Sequence, residues 1–222
     1  MIVLALDTAG VDCSACVYDS ASDNVLGDIC ETIGKGHAER LMAVTDAALR
    51  QAQLPLQKVE RIAVTIGPGS FTGIRVGVAA ARGFALSLGV DAVGVTTLET
   101  LGLHHLLDNP GRPVAVGLDA KRGEAYLQTF GADGLPLREA ALLSLEDAQK
   151  VIAGFSGDVI GSAAPLFAGL EAGSGPDHFP ITSVARAAAR KPAGQPKPAP
   201  LYLRGPDARP QTGFALARQG VA

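Results

Sequence analysis

Residues 113–134, PVAVGLDAKRGEAYLQTFGADG, repeat the pattern of residues 1–24, MIVLALDTAGVDCSACVYDSASDN. Each stretch has an apolar strand ending in aspartate (Asp7, Asp119), a tight turn, a second strand and a polar turn. A strand–turn–strand unit that recurs in one chain points to internal duplication and constrains the fold to two related halves. The first copy continues with a third strand over 25–32, which makes a β-meander. A helix over 37–52 follows, with Leu41, Val44, Ala48 and Leu49 on one face. A short apolar strand over 61–67 is of the kind found buried in parallel sheets. Next come a helix from about Thr72 to near Gly89, a strand over 91–95, and a helix over 97–108 with Thr97 or Thr100 as N-cap. After the second copy the pattern predicts a helix near 144–153, a strand over 157–161, and helices near 163–170 and 182–190. The proline-rich 191–200 is expected to be extended. This is an α/β chain of two lobes, 1–106 and 107–222, the second carrying the proline-rich segment.

The 222 residues suffice for a sizeable core, and 47% hydrophobic against 18% charged residues describes a folded chain. A formal net charge of −3 opposes a broad basic face able to grip nucleic acid alone. The apolar run at 2–6 is too short for a signal peptide, and no run reaches spanning length, so a soluble cytoplasmic protein with no membrane contact is expected. Cys13, Cys16 and Cys30 are expected to be structural thiols. Residues three apart on a strand face opposite ways, and one pair cannot close a four-ligand metal site.

The stretch TIGPGSFTGIRVGVAAARGFALSLG, 65–89, has the outline of a phosphate loop: strand, glycine turn, helix. It lacks the lysine of G-x-x-x-x-G-K-[ST] in either register, and Thr72 stands where G-x-G-x-x-G needs its third glycine. The turn requires glycine's φ freedom, with Ser70 or Thr72 as cap. The helix beyond carries only Arg75 and Arg82 as charges, seven apart on nearly one stripe. A helix so apolar is buried on more than one side, against a second neighbour in its own fold or against a partner protein. Gly77, Ala80, Ala81 and Gly83 would let another backbone approach.

GPGSFTGIRVGVAAARGFA (67–85), LALDTAGVDCSACVYD and PLYLRGPDA (200–208) together resemble the TsaB family, also called YeaZ. The resemblance runs over most of the chain. It implies an ASKHA (actin/Hsp70/sugar-kinase-like) fold of two duplicated ribonuclease-H-like lobes. It further implies a non-catalytic subunit that pairs with the paralogue TsaD in forming threonylcarbamoyladenosine beside the tRNA anticodon. TsaD would hold the metal and transfer the group, the ATPase TsaE would join the pair, and tRNA would be met only through the complex. The helices at 37–52 and 72–88 would form the interface, with Arg75, Val78, Ala81, Arg82 and Ala85 on it; without TsaD the same patch would pair two copies of this chain. At the positions of the H-x-x-x-H metal pair of TsaD stand Thr97 and Leu101, so no metal or cofactor is assigned and no residue is catalytic. His104 and His105, adjacent on a helix, do not rebuild the pair, and His37 is expected at a helix end. Asp7, Thr8 and Asp119 are vestigial phosphate-site candidates. Lys121 and Arg122 crowd the second hairpin turn, and Gly161-Ser162 replaces a Gly-Gly adenosine turn. Two alternatives stand beside this reading: an ASKHA ATPase or small-molecule kinase using Asp7 and Asp119, and a glycoprotease-like metallopeptidase, which the missing histidines oppose.

Overall fold

The computed structural model describes residues 1–173 and 175–204. Of the PLYLRGPDA stretch, residues 205–208 lie outside them. The first sheet is built from β1 (Ile2–Asp7), β2 (Asp12–Asp19), β3 (Asn24–Thr32), β4 (Arg61–Thr65) and β5 (Asp91–Val95), in the order β3-β2-β1-β4-β5. β1, β2 and β3 form the antiparallel meander, and β4 and β5 add in parallel. The helices are α1 (His37–Gln51), α2 (Phe71–Leu88) and α3 (Thr97–Asp108). The second sheet repeats the plan with one strand fewer: β6 (Val114–Lys121), β7 (Glu124–Phe130), β8 (Pro136–Ser144) and β9 (Asp158–Ile160), in the order β8-β7-β6-β9. β9 pairs in parallel with β6, as β4 does with β1. This is the duplicated ribonuclease-H-like arrangement of an ASKHA fold. Three further helices complete it: α4 (Leu145–Ala153), α5 (Ala164–Phe167) and α6 (Ile181–Arg190).

Alternation along the strands sorts each side chain to one face. Leu4 and Leu6 of β1, Cys13, Ala15 and Val17 of β2, and Ile62 and Val64 of β4 meet α1 and α2. Val3, Ala5, Ala63, Val93 and Val95 meet α6 on the other face. Complete burial of Val184 on α6 contributes about 2 kcal/mol. In the second lobe, Leu98, Leu101 and Leu106 of α3 cover Val114, Val116 and Leu118, while Ala148 of α4 covers Ala115 and Leu127 on the far side. The strands therefore divide between β5 and β6, but the helices do not respect a boundary at 106/107. α6 packs on the first sheet, α3 on the second, and the two helices touch each other between the sheets.

Electrostatic ties hold the exchange in place. Buried Arg61 donates from one nitrogen to the carbonyls of Ala188 and Lys191, at 2.9 and 2.7 Å, and so holds the end of α6. Lys191 Nζ reaches Gly94 O and Glu99 Oε2 at 2.9 and 2.8 Å. The segment 191–204 then runs without regular structure past the β5 edge. Gly194 N donates to Asp91, Leu201 N donates to Ile66 O, and Arg204 donates to Ala120 O and Glu124 in the second lobe.

Two local expectations differ. The N-cap of α3 is Thr96, not Thr97 or Thr100: its hydroxyl accepts from Glu99 N while the Glu99 carboxylate accepts from Thr96 N, a reciprocal capping box. Strand β8 lies in a stretch where the periodicity gave no element before the helix near 144. It is an exposed edge strand whose pairing with β7 shifts register twice. α2 is, among the described helices, the one long and apolar enough to cross a bilayer by length and composition, yet its Gly73–Ala85 side is buried in this fold.

Candidate functional site

The glycines of the loop serve close packing. A Cβ on Gly69 would stand 2.3 Å from Ala9 O, one on Gly73 only 1.9 Å from Thr8 O, and one on Gly77 2.5 Å from Thr8 Oγ1. The first turn of α2 is thus pressed onto the β1–β2 turn. Ser70 N donates to Ala9 O at 2.6 Å, Thr8 Oγ1 donates to Gly73 O at 2.6 Å, and Ser70 Oγ caps the helix by accepting from Gly73 N. Thr8 is fully buried by these contacts. Gly89, in the left-handed region, ends the helix as expected.

Between the lobes lies a cleft of about 340 Å³, lined by Asp7, Asp12, Asp119 and Asp177 and by Tyr126 and Phe179 among others. No lysine or arginine is among its described lining residues. Asp7 and Asp119, the ends of the repeated strands, both face it. Burial pushes the Asp7 carboxyl above the ordinary range, against hydrogen bonds donated by the Thr65 hydroxyl and the Ala9 amide. Burial also raises Asp119, but Lys121, whose ammonium lies 2.6 Å away and whose amide donates to it, leaves it below the ordinary value. Lys121 and Arg122 take positive φ in the hairpin turn, and Lys121 is committed to Asp119. The Gly161-Ser162 turn is also used internally. Ser162 Oγ accepts from Asp119 N, Ser162 N donates to Asp177, and Ser162 O accepts from Gly173 N. Asp12, which sequence reasoning did not single out, joins the cleft through an ion pair with His178 at 2.6 Å; its place at the start of β2, two turn residues from Gly10, was the available signal.

Thr97 and Leu101 do not present a ligand pair. Both are buried, Leu101 in the second lobe's core, and Thr97 Oγ1 has no hydrogen-bond partner. His105 Nε2 lies 2.9 Å from Asp158, and His104 faces Asp108 on its own helix, so the two rings diverge. His37 opens α1 with Nε2 3.1 Å from Asp12 O. No group of three or more His, Cys, Asp or Glu suited to a metal occurs among the described residues. Cys13 and Cys16 occupy opposite faces of the first sheet; burial pushes their thiols up to about 11 and about 12.

The residues expected at a partner interface separate into two sets. Val78, Ala81 and Ala85 turn inward onto β1, β2 and β4 and belong to the core, so they are not surface residues. The sheet claims the 73–74–77–78–81–85 stripe of α2, which lies 60° or more around the helix from the arginines. Arg75 and Arg82 remain exposed, with Phe71, Ala79 and Leu86 on the same side. Phe71 is 58% and Leu86 84% exposed. Arg75 is held between rings: its guanidinium lies 3.6 Å from the Phe71 centroid, and its Nε donates to Tyr202 Oη at 2.8 Å. Beside α2, a groove of about 590 Å³ runs along α1, lined by Met42, Leu49, Leu54 and Phe84 among others.

Comparison with known proteins agrees with this geometry. The family profile TsaD, tRNA N6-adenosine threonylcarbamoyltransferase, matches residues 23–154. The tRNA threonylcarbamoyladenosine biosynthesis protein TsaB of Escherichia coli is 31% identical over 133 residues, 60% of this chain and 56% of that protein. The TsaB of Bacillus subtilis is 33% identical over 129 residues, 57% of this chain and 53% of that one. The chain thus spans about half the length of these TsaB relatives. An uncharacterised protein of Mycobacterium tuberculosis is 34% identical over 210 residues, 94% of both chains. Among solved structures, a Pseudomonas aeruginosa protein described as similar to peptidase YEAZ superposes with TM-score 0.75 at 25% identity, covering 91% of this chain and 99% of that one. YeaZ from Pseudomonas aeruginosa superposes with TM-score 0.59 at 28% identity, over 66% and 69%. On this sequence, this sheet order and these relatives, the chain belongs to the TsaB (YeaZ) family of the ASKHA fold.

Proposed function

We propose that this chain is a non-catalytic subunit in the formation of threonylcarbamoyladenosine on tRNA, working in the cytoplasm by pairing with a TsaD-family protein. One observation carries the non-catalytic part: the interlobe cleft is lined by four aspartates and no described lysine or arginine. A nucleotide phosphate brought there meets like charge. The turns that would hold it are filled by α2 on one side and by Ser162 and Asp177 on the other. The transfer step then falls to the partner. The apolar groove along α1 and the exposed stripe of α2 supply a surface for that partner, with TsaE joining the pair and tRNA met only by the assembly.

The test is reconstitution of tRNA modification with this chain and the TsaD and TsaE proteins of the same organism, leaving out one component at a time. Omitting this chain should abolish product measured by mass spectrometry of digested tRNA. Asp119→Ala should leave product formation within about twofold, since a variant outside the reacting centre loses little transition-state stabilisation. A loss of orders of magnitude in a folded variant, with ATP and Mg²⁺ binding seen by calorimetry in the unaltered chain, would favour an ATPase or kinase instead.

A further inference from the structure

We infer that Arg75 and Arg82 form a carboxylate-receiving pair that selects an acidic protein partner and disfavours a second copy of this chain. The inference deepens the docking role proposed for α2 and rests on it. α2 contains no acidic residue, and among the described residues neither guanidinium has a carboxylate partner. Both are exposed on one stripe. Seven residues of helix separate them by roughly 10.5 Å.

Arg75 is prepared for this role. Phe71 covers one side of its guanidinium and Tyr202 Oη takes the Nε proton, which leaves the two terminal nitrogens without a partner among the described residues. A guanidinium already oriented loses less freedom when it receives a carboxylate by its forked edge. Tyr202 comes from the far end of the chain and is itself fixed through its neighbour, whose amide donates to Ile66 O.

Symmetry supplies the selection. Two copies paired about a two-fold axis along this stripe must set Arg75 against Arg82, or each arginine against its own equivalent. Either way like charges meet as water is excluded, which opposes pairing. A partner surface with two carboxylates at matching spacing, around apolar residues that cover Ala79 and Leu86, turns the same charges into specificity and faster association. Nucleic-acid phosphate fits less well: the stripe is otherwise apolar, and two arginines on a chain of net charge −3 make a poor phosphate track.

The experiment titrates the full chain against the TsaD-family protein of the same organism, with sedimentation velocity on each protein alone. Arg75→Ala with Arg82→Ala should weaken the mixed pair roughly tenfold or more, flatten its salt dependence and strengthen self-association. Tyr202→Phe should weaken it about threefold by freeing the guanidinium. Leu86→Arg, at a site already open to water, should abolish pairing while the chain stays folded. If the double variant binds at full strength while Leu86→Arg does not, α2 docks without charge selection and the inference fails, with the docking role intact. If neither change matters, the docking role fails as well. If the double variant loses tRNA retention by the complex but keeps the protein partner, the arginines serve phosphate and the inference is overturned.

Discussion

Asp7 carries a proton linkage that can be measured in the isolated chain. Burial raises its pKa above the ordinary 3.8, so over the window from that value up to the folded one the native chain holds a proton that the unfolded chain has released. Stability must fall as pH rises through that window and level off above it. Asp7→Asn should remove this slope while the amide oxygen still accepts from Thr65 and Ala9; urea denaturation from about pH 3 to about pH 8 would show it. Identical pH profiles for the two proteins would mean that Asp7 ionises normally in the fold. The aspartate at this strand end was legible from the repeat, and so was its counterpart Asp119. What could not be read was the phase of α2. Val78, Ala81 and Ala85 are as apolar as a contact surface needs, and only the position of the sheet shows that they are already covered.

At the scale of elements, α3 offers a paired test. Thr96 and Thr97 are adjacent and chemically alike, so the sequence allows either to cap; the backbone gives the cap to Thr96 and leaves the Thr97 hydroxyl buried without a partner. Thr96→Ala should cost about 1 kcal/mol. Thr97→Val, which replaces a stranded hydroxyl by a methyl, should be neutral or stabilising by about 1 kcal/mol. Urea midpoints with unchanged slopes would report both. Equal losses from the two changes would sink the assignment. The long periodic helices and the buried strands were legible because their patterns are strong. β8 was not, because an edge strand with water on both faces, as in its Leu137, Arg138 and Glu139, needs no alternation and shows none.

For the whole molecule, duplication predicted two lobes, and two sheets are found, but α3 and α6 trade places across them. The exchange was hidden because it rests on contacts such as Arg61 with Ala188, far apart in the chain and unmarked by any motif. A fragment of residues 1–106 should therefore fail to fold alone: Val3, Ala5, Ala63, Val93 and Val95 lose α6 as their cover. Size-exclusion chromatography and near-ultraviolet circular dichroism should find it aggregated or loosely packed, and adding the 107–222 fragment should restore a monomer-sized complex. A well-packed monomer of 1–106 would show that α6 is dispensable to the first sheet. The same threading governs how the protein is born. α6 leaves the ribosome only after every strand of the second sheet, a wait on the order of several seconds at ordinary elongation rates. Throughout it, the valine-lined underside of the first sheet is open to whatever chaperone sits at the tunnel exit. A premature stop anywhere before α6 then yields no working half of the protein, only a client for proteolysis.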